Sequence, residues 1–94
     1  MKESQIERRL AEGVEKLGGL CPKFQGGAGW PDRVAVLPGG RVAFVELKTG
    51  AGRLARLQRW QMGRLRAIGA DARVLRGMEE VEAFLEEAKG GMPK

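Results

Sequence analysis

One stretch of the chain decides its fold: residues 33–47 have the sequence RVAVLPGGRVAFVEL. Two runs rich in apolar residues, Arg33–Leu37 and Arg41–Leu47, flank Pro38-Gly39-Gly40, which is typical of a tight turn. The pattern predicts a β-hairpin. Because both faces of its strands are apolar, we expect the hairpin to lie centrally in a sheet with helices on both sides.

The turn also predicts which residues face each other across the hairpin. With the turn centred on Gly39, Asp32 lies opposite Glu46, and directly opposed residues share one face of a sheet. Lys48, two residues beyond Glu46, projects to the same face. A register shift of one residue would break this pairing. Two such carboxylates repel unless a cation lies between them, so the pair indicates either a divalent-metal site or a surface salt bridge at the end of the sheet.

Apolar spacing outside the hairpin predicts three helices and two further strands. A first helix over 3–18 follows from Ile6, Leu10, Val14 and Leu17 and ends at Gly18-Gly19. A short edge strand is expected within 20–25, after Pro22. Together these elements give the order α-β-β-β-α-β-α.

The second half of the chain supplies the rest of this order. A second helix is marked by Leu54, Leu57, Leu65 and Ile68 and ends at Gly69; a strand covers 72–75; a last helix is marked by Val81, Phe84, Leu85 and Ala88. The helix before the last strand is placed as a crossover, so that strand is expected to pair in parallel within a mixed sheet. The fold class is α/β, with a mixed central sheet flanked by helices.

Length and hydropathy indicate one soluble domain. The chain has 94 residues, which is enough for a single modest core, and we expect one domain over 1–94 with a flexible tail at 90–94. No apolar run is long enough to span a membrane. No apolar segment follows the first residues, so we expect no signal peptide and a cytoplasmic location.

The residue types that are missing narrow the chemistry. The chain has no histidine and one cysteine, Cys21, which excludes zinc sites of the Cys/His type, an intrachain disulfide and Ser-His or Cys-His hydrolases. Any metal must be bound by oxygen ligands, which favours Mg²⁺ or Mn²⁺.

The charge is unevenly distributed. The formal net charge is +5, and seven arginines but one acid lie between Arg53 and Arg76. Such a stretch is typical either of a phosphate-facing surface or of an ordinary solvated helix face.

A resemblance favours the first of these alternatives. Pro31-Asp32, thirteen residues and then Glu46-Leu47-Lys48 resemble the signature of the PD-(D/E)xK nuclease superfamily. More narrowly, residues 3–76 resemble the VRR-NUC domain in its stand-alone phage and bacterial form. The matching segments are Glu3-Ser4-Gln5-Ile6-Glu7, Gly18-Gly19, Lys23-Phe24, Gly29-Trp30-Pro31-Asp32-Arg33, Leu37-Pro38-Gly39-Gly40-Arg41, Phe44-Val45-Glu46-Leu47-Lys48, Leu54 with Gln58, and Leu65-Arg66-Ala67-Ile68-Gly69.

The resemblance implies a restriction-endonuclease-like fold and a set of site residues. Asp32 and Glu46 would ligate the metal with the backbone carbonyl of Leu47, and Lys48 would be the catalytic lysine. The resemblance further implies two residues from flanking helices: Glu7, with Glu3 as the alternative, and Gln58, with Gln61 as the alternative.

The resemblance also implies a substrate and an assembly. A homodimeric, metal-dependent DNA endonuclease is expected, acting on branched DNA such as four-way (Holliday) junctions. The basic residues expected nearest the DNA are Lys23, Arg33, Arg53 and Arg56, and Trp60, which lies off the apolar stripe of its helix, is a candidate subunit contact. The alternatives are a catalytically silent nucleic-acid-binding module and a restriction-type or exonuclease subunit.

Overall fold

Three helices and three strands make up the part of the chain, residues 1–90, that the computed structural model describes. In chain order they are α1 (Glu3–Lys16), β1 (Arg33–Val36), β2 (Val42–Lys48), α2 (Arg56–Ala67), β3 (Asp71–Arg76) and α3 (Gly77–Lys89). The predicted α/β class, with a mixed sheet flanked by helices, is confirmed. Of the predicted tail, residues 91–94 lie outside the described residues.

The sheet has the order β1-β2-β3, and the hairpin has the predicted register. Arg33 pairs with Val45 and Val36 with Val42 across antiparallel β1 and β2. The turn closes with a 2.7 Å hydrogen bond from the Leu37 amide to the Arg41 carbonyl. Gly39 and Gly40 both have positive φ, at 92° and 86°, and glycine adopts such angles without steric cost. β3 pairs in parallel with β2, as the crossover predicted.

The predicted edge strand within 20–25 is wrong as a strand, and the observed order is α-β-β-α-β-α. The segment does run antiparallel to β1, but it forms only two isolated bridges, Leu20 with Val36 and Lys23 with Arg33. Its middle residue, Pro22, accepts a bond from the Val34 amide. Pro22 has no N–H to return, so the ladder is interrupted at its centre.

Alternation along the strands divides the apolar residues between two cores. Helices α1 and α3 cover one face of the sheet, and the larger core lies there; its strand residues include Ala35, Ala43, Val45, Leu47 and Leu75. Helix α2 covers the other face with a smaller core, in which Met62 and Leu65 pack against Ala72, Phe44 and Val74. The face under α2 is the one that carries the site.

The predicted apolar stripe of α2 is wrong in part. Leu65 is buried, but Leu57 and Ile68 are 42% and 83% exposed, and Gln61 and Met62 are buried in their place. Within the described residues the sheet has three strands, and α2 mainly contacts β3. So narrow a sheet covers only a narrow strip of α2. The orientation of the helix about its axis that buries Met62 therefore leaves Leu57 and Ile68 in solvent.

The described residues contain no helix that combines the length and the apolar content needed to cross a bilayer.

Candidate active site

The site lies where β2 continues past the end of β1. β1 begins at Arg33, opposite Val45, so the last residues of β2 have no strand partner on that side. Because side chains alternate along a strand, Leu47 points into the larger core while Glu46 and Lys48 point to the face covered by α2.

Asp32 lies beside the end of β2, on the side where β1 does not extend. Its Oδ2 accepts a 2.9 Å hydrogen bond from the backbone N–H of Leu47. The carboxylate of Asp32 is thereby fixed against the backbone of β2, one residue from Glu46, as the hairpin register predicts. The preceding residue, Pro31, is fully buried and fixes the chain as it enters β1.

Glu46 is the most unusual group of the site, because its residue is only 2% exposed. Its Oε2 accepts a 3.0 Å hydrogen bond from Gln58 Nε2 and lies 3.6 Å from Lys48 Nζ. Its Oε1 is buried and has no hydrogen-bond partner among the described residues 1–90. Buried carboxylate oxygens are normally satisfied, so this orphaned oxygen indicates a partner such as a cation.

The electrostatics of Glu46 agree with this geometry. Burial is the main cause that raises the pKa of Glu46 to about 7, and the negative charge of Asp32 adds to it. The Lys48 ammonium acts in the opposite direction, and the charge of Glu3 raises the pKa further. Without a cation, the carboxyl group is therefore partly protonated near neutral pH.

Gln58 joins the first turn of α2 to this carboxyl group. Its Oε1 accepts a 2.8 Å hydrogen bond from the Ala55 N–H, which caps the helix. Because the oxygen faces Ala55, the amide nitrogen is directed at Glu46. Gln61, the alternative glutamine, is buried and accepts a hydrogen bond from Arg64. The structure thus brings Gln58, rather than Gln61, to Glu46.

The structure does not bring Glu7 into contact with these groups. Glu7 Oε2 accepts a 2.8 Å hydrogen bond from Arg33 Nε, and Arg33 Nη1 donates to the Cys21 carbonyl. Alternation directs Arg33 to the face covered by α1, opposite to Asp32. This pairing was missed from the sequence, because alternation along β1 gives the face to which Arg33 points but not its contact with Glu7 on α1. Of the two acids considered on α1, Glu3 is the one whose charge acts on Glu46.

The donor set determines which cation would fit. Within residues 1–90, no group of three or more His, Cys, Asp and Glu side chains lies close enough to hold a metal. Asp32 and Glu46 nevertheless form a pair of carboxylates with one buried oxygen unsatisfied. All the donors are oxygens, which suits Mg²⁺ or Mn²⁺ better than zinc or copper.

The predicted basic residues differ in their availability to an external phosphate. Lys23, Arg53 and Arg56 are exposed, and within residues 1–90 none of the three forms a salt bridge. Arg33 is different, because its guanidinium is half-buried and already bonded to Glu7 and to the Cys21 carbonyl.

The aromatic residues near the site pack against one another. The rings of Phe24 and Trp30 meet edge to face with centroids 5.7 Å apart, and Phe24 meets Phe44 in the same way at 5.5 Å. Trp30 also packs against the smaller core. The loop that leads to Asp32 is therefore fixed to the sheet by aromatic contacts.

Comparisons with known proteins agree with this fold. No family model matches the sequence. The chain is 38% identical over 77 residues to a protein named "Putative nuclease p44" of Acyrthosiphon pisum secondary endosymbiont phage 1. The aligned region covers 80% of this chain and 83% of the relative. A solved structure described as "VRR_NUC domain" superimposes with a TM-score of 0.81 and 30% sequence identity, covering 89% of this chain and 94% of that one.

Proposed function

Because the chain belongs to the VRR-NUC nuclease family, we propose that it is a divalent-metal-dependent DNA endonuclease that hydrolyses phosphodiester bonds. The observation that carries this proposal is the buried Oε1 of Glu46 beside Asp32, which has no hydrogen-bond partner within residues 1–90. A pair of acids that faced no cation would gain nothing from such burial and would repel a phosphate.

Three oxygen donors are proposed to hold the metal, Mg²⁺ or Mn²⁺. They are the carboxylates of Asp32 and Glu46 and the backbone carbonyl of Leu47. The Leu47 N–H already bonds to Asp32, and in an antiparallel ladder the N–H and C=O of one residue point to the same side. When bound, such a cation supplies Lewis acidity that lowers the pKa of water and offsets charge on the scissile phosphate.

Lys48 and Gln58 are proposed to complete the reaction centre from either side of Glu46. Lys48 Nζ, 3.6 Å from Glu46 Oε2, can donate a hydrogen bond to the attacking water or to the oxygens of the phosphate as charge develops. Gln58 holds the Glu46 carboxyl group in one orientation through a 3.0 Å bond. Both side chains come from ordered elements, β2 and α2, so the site is preorganised.

Two carboxylates of α1, those of Glu7 and Glu3, are the candidates for a third acid in the proposed site. Glu7 would join it only after its 2.8 Å bond to Arg33 is released. Glu3 is exposed, and its charge already acts on Glu46. Either carboxylate could reach the metal through water.

The proposed substrate is DNA, with branched DNA such as a four-way junction as the preferred form. Lys23, Arg53 and Arg56 are the exposed cations proposed to contact phosphates. Arg53 and Arg56 flank the start of α2, where free backbone amides also favour phosphate. Arg33 is expected to contribute less than these three, because its guanidinium is engaged within the protein.

A homodimer is proposed as the active form. A chain with one active site needs two copies to cut both strands of a duplex. Helix α2 offers a surface for such pairing, since Leu57, Trp60 and Ile68 are 42%, 56% and 83% exposed and lie along one side of the helix.

The test is a cleavage assay with labelled four-way junction, fork and linear duplex, each with Mg²⁺, Mn²⁺ or chelator. Glu46→Gln and Lys48→Ala are the test variants, and Glu12→Gln, which changes an exposed acid of α1, is the matched control. We expect wild type and the control to cut with metal only, and both test variants to lose about 100-fold or more of kcat.

Each contrary result has a definite meaning. Undiminished cutting by both test variants would overturn the site assignment. DNA binding without cleavage of any substrate would favour the catalytically silent module. Cutting that starts only at ends would favour the exonuclease alternative.

A further inference from the structure

Arg76 lies beside the proposed reaction centre but belongs to none of the groups assigned to it. It is the last residue of β3 and pairs with Lys48 across the parallel strands. Ala72 and Val74 of β3 face the smaller core under α2, so alternation places Arg76 on that same face. The side chains of Arg76 and Lys48 therefore project side by side from the same face of the sheet.

The guanidinium of Arg76 is bonded to the loop that follows Lys48. Its Nη1 donates a hydrogen bond to the backbone carbonyl of Gly52. Gly52 lies in the connection 49–55, which joins β2 to α2 and so links Lys48 to Gln58. A single side chain from β3 thus holds the segment that carries two of the proposed site residues at its ends.

Gly52 in turn contacts the stem of Lys48. The Gly52 N–H donates a 2.9 Å hydrogen bond to the Thr49 carbonyl and closes a tight turn. A β-carbon placed on Gly52 would lie 3.3 Å from the Cβ of Lys48, which is closer than side chains normally approach. The backbone of the loop therefore packs directly against the base of the Lys48 side chain.

The backbone of Arg76 is itself held in place. Its N–H donates a 2.8 Å hydrogen bond to Glu80 Oε1 in the first turn of α3. The next residue, Gly77, has a φ of 75°, and a β-carbon there would approach the Gly50 nitrogen at 4.0 Å. The junction of β3 and α3 thus forms a fixed base for the loop.

We propose that Arg76 is a positioning residue of the nuclease, which orients Lys48 by tying the Gly52 carbonyl to the end of β3. The inference rests on the proposed function and deepens it. Removal of the guanidinium frees the loop, so Lys48 loses its alignment with Glu46, and misalignment of this kind lowers turnover by about tenfold to 100-fold. Substrate affinity is set elsewhere and stays close to that of wild type.

Arg76→Met and Arg76→Lys are compared with Arg66→Met as the matched control. Arg66 also donates its side chain to a backbone carbonyl, that of Ala72, 2.9 Å away, at the other end of β3. The measurements are kcat and KM on the substrate that wild type cuts, and hydrogen exchange of the amides in 49–55. Arg76→Met is expected to lower kcat at least tenfold with KM within about twofold, and to speed exchange in the loop.

The other two variants make the result specific. Arg76→Lys, which retains one donor for the Gly52 carbonyl, is expected to recover part of the turnover and of the protection. Arg66→Met is expected to leave both kcat and the loop exchange within about twofold of wild type.

Two outcomes would overturn the inference. One is an Arg76→Met protein with wild-type kcat and raised KM, since Arg76 would then bind DNA directly. The other is unchanged exchange in 49–55. A wild-type protein that cuts no substrate would instead overturn the proposed function. In that case, hydrogen exchange of the amides in 49–55 would still show whether Arg76 holds the loop.

Discussion

The carboxyl group of Glu46 is buried at a cost that the protein offsets only in part. Gln58 and Lys48 both contact Oε2, whereas Oε1 has no hydrogen-bond partner in the part of the chain that the structure describes. Burial and the charge of Asp32 together raise the pKa to about 7. The unfolded chain has no such burial, so its Glu46 titrates near the ordinary value of 4.5.

This difference makes the stability of the metal-free protein depend on pH. Between pH 4.5 and about 7, the folded state holds a proton on Glu46 that the unfolded state has lost. Stability therefore falls as pH rises through this window and levels off above it. Glu82 and Glu87 have lowered pKa values because they bond to Arg9 and Arg73, so their contributions change below this window.

Glu46→Gln is expected to raise stability at pH 8, because it removes the buried charge and keeps an acceptor for Gln58. The gain over wild type is roughly 1–3 kcal/mol at pH 8 and close to zero near pH 5. Urea unfolding with chelator at both pH values measures it. The chain has no histidine, so few other groups titrate in between. An equal effect at both pH values would show that Glu46 is not the titrating group.

At the scale of elements, the loop 25–31 and helix α2 are fitted together through Gly29. Gly29 has a φ of 81°, and a β-carbon there would lie 3.0 Å from the Leu57 carbonyl oxygen. The loop leads directly to Asp32, and α2 carries Gln58. The close approach of the two backbones therefore sets the distance between two parts of the site.

Gly29→Ala is expected to destabilise the protein by roughly 1–3 kcal/mol, because both the backbone angle and the space oppose a side chain. The matched control is Gly63→Ala in the middle of α2, where a β-carbon would meet nothing within 4 Å. That change is expected to stabilise by about 0.5–1 kcal/mol, since alanine favours a helix. Thermal unfolding of both variants checks the pair, and equal effects would contradict the fit of loop to helix.

The elements also show what the sequence could and could not predict. The hairpin register was predictable because Pro38-Gly39-Gly40 fixes the turn and each apolar strand has one partner. The buried side of α2 was not, since Leu57 and Ile68 have the same hydropathy as the residues that are buried. Which side of a helix is covered depends on the width of the sheet beneath it, and a local pattern does not record that width.

The candidate site also has one part that the sequence predicted and one part that it did not. Asp32, Glu46 and Lys48 belong to one hairpin, so strand alternation predicted that they share a face. The contact of Gln58 with Glu46 joins two elements, and it was expected only from the resemblance to VRR-NUC domains. The Glu7–Arg33 pair depends on how α1 packs across the sheet, a tertiary arrangement that spacing along α1 does not determine.

At the scale of the whole molecule, charge and apolar surface are arranged separately. Arg73 binds Asp71 and Glu87, and Arg41 also binds Glu87, so these cations are neutralised within the protein. Within residues 1–90 the exposed Lys23, Arg53 and Arg56 form no salt bridge, which leaves them available for the proposed contacts with phosphate. The apolar side of α2, with Leu57, Trp60 and Ile68, is a second kind of surface, whose burial in a dimer would be favourable.

The proposed dimer can be separated from the fold by changing that apolar side alone. Trp60→Glu combined with Ile68→Glu places charges where a second copy would pack, and neither side chain is buried in one chain. Wild type is expected to sediment at roughly twice the chain mass of 10.2 kDa, and the double variant as a folded monomer whose unfolding midpoint is lower and no longer depends on protein concentration. Leu20→Glu, at a residue that is 65% exposed outside α2, is the matched control and should remain dimeric. If α2 forms the interface, the double variant also loses paired cuts on a four-way junction, because each monomer then acts on one strand at a time.

Two results would contradict the proposed interface: a monomeric wild type, or a double variant that is still a dimer. Neither result would test the active site within one chain, which the Glu46 and Lys48 variants test separately.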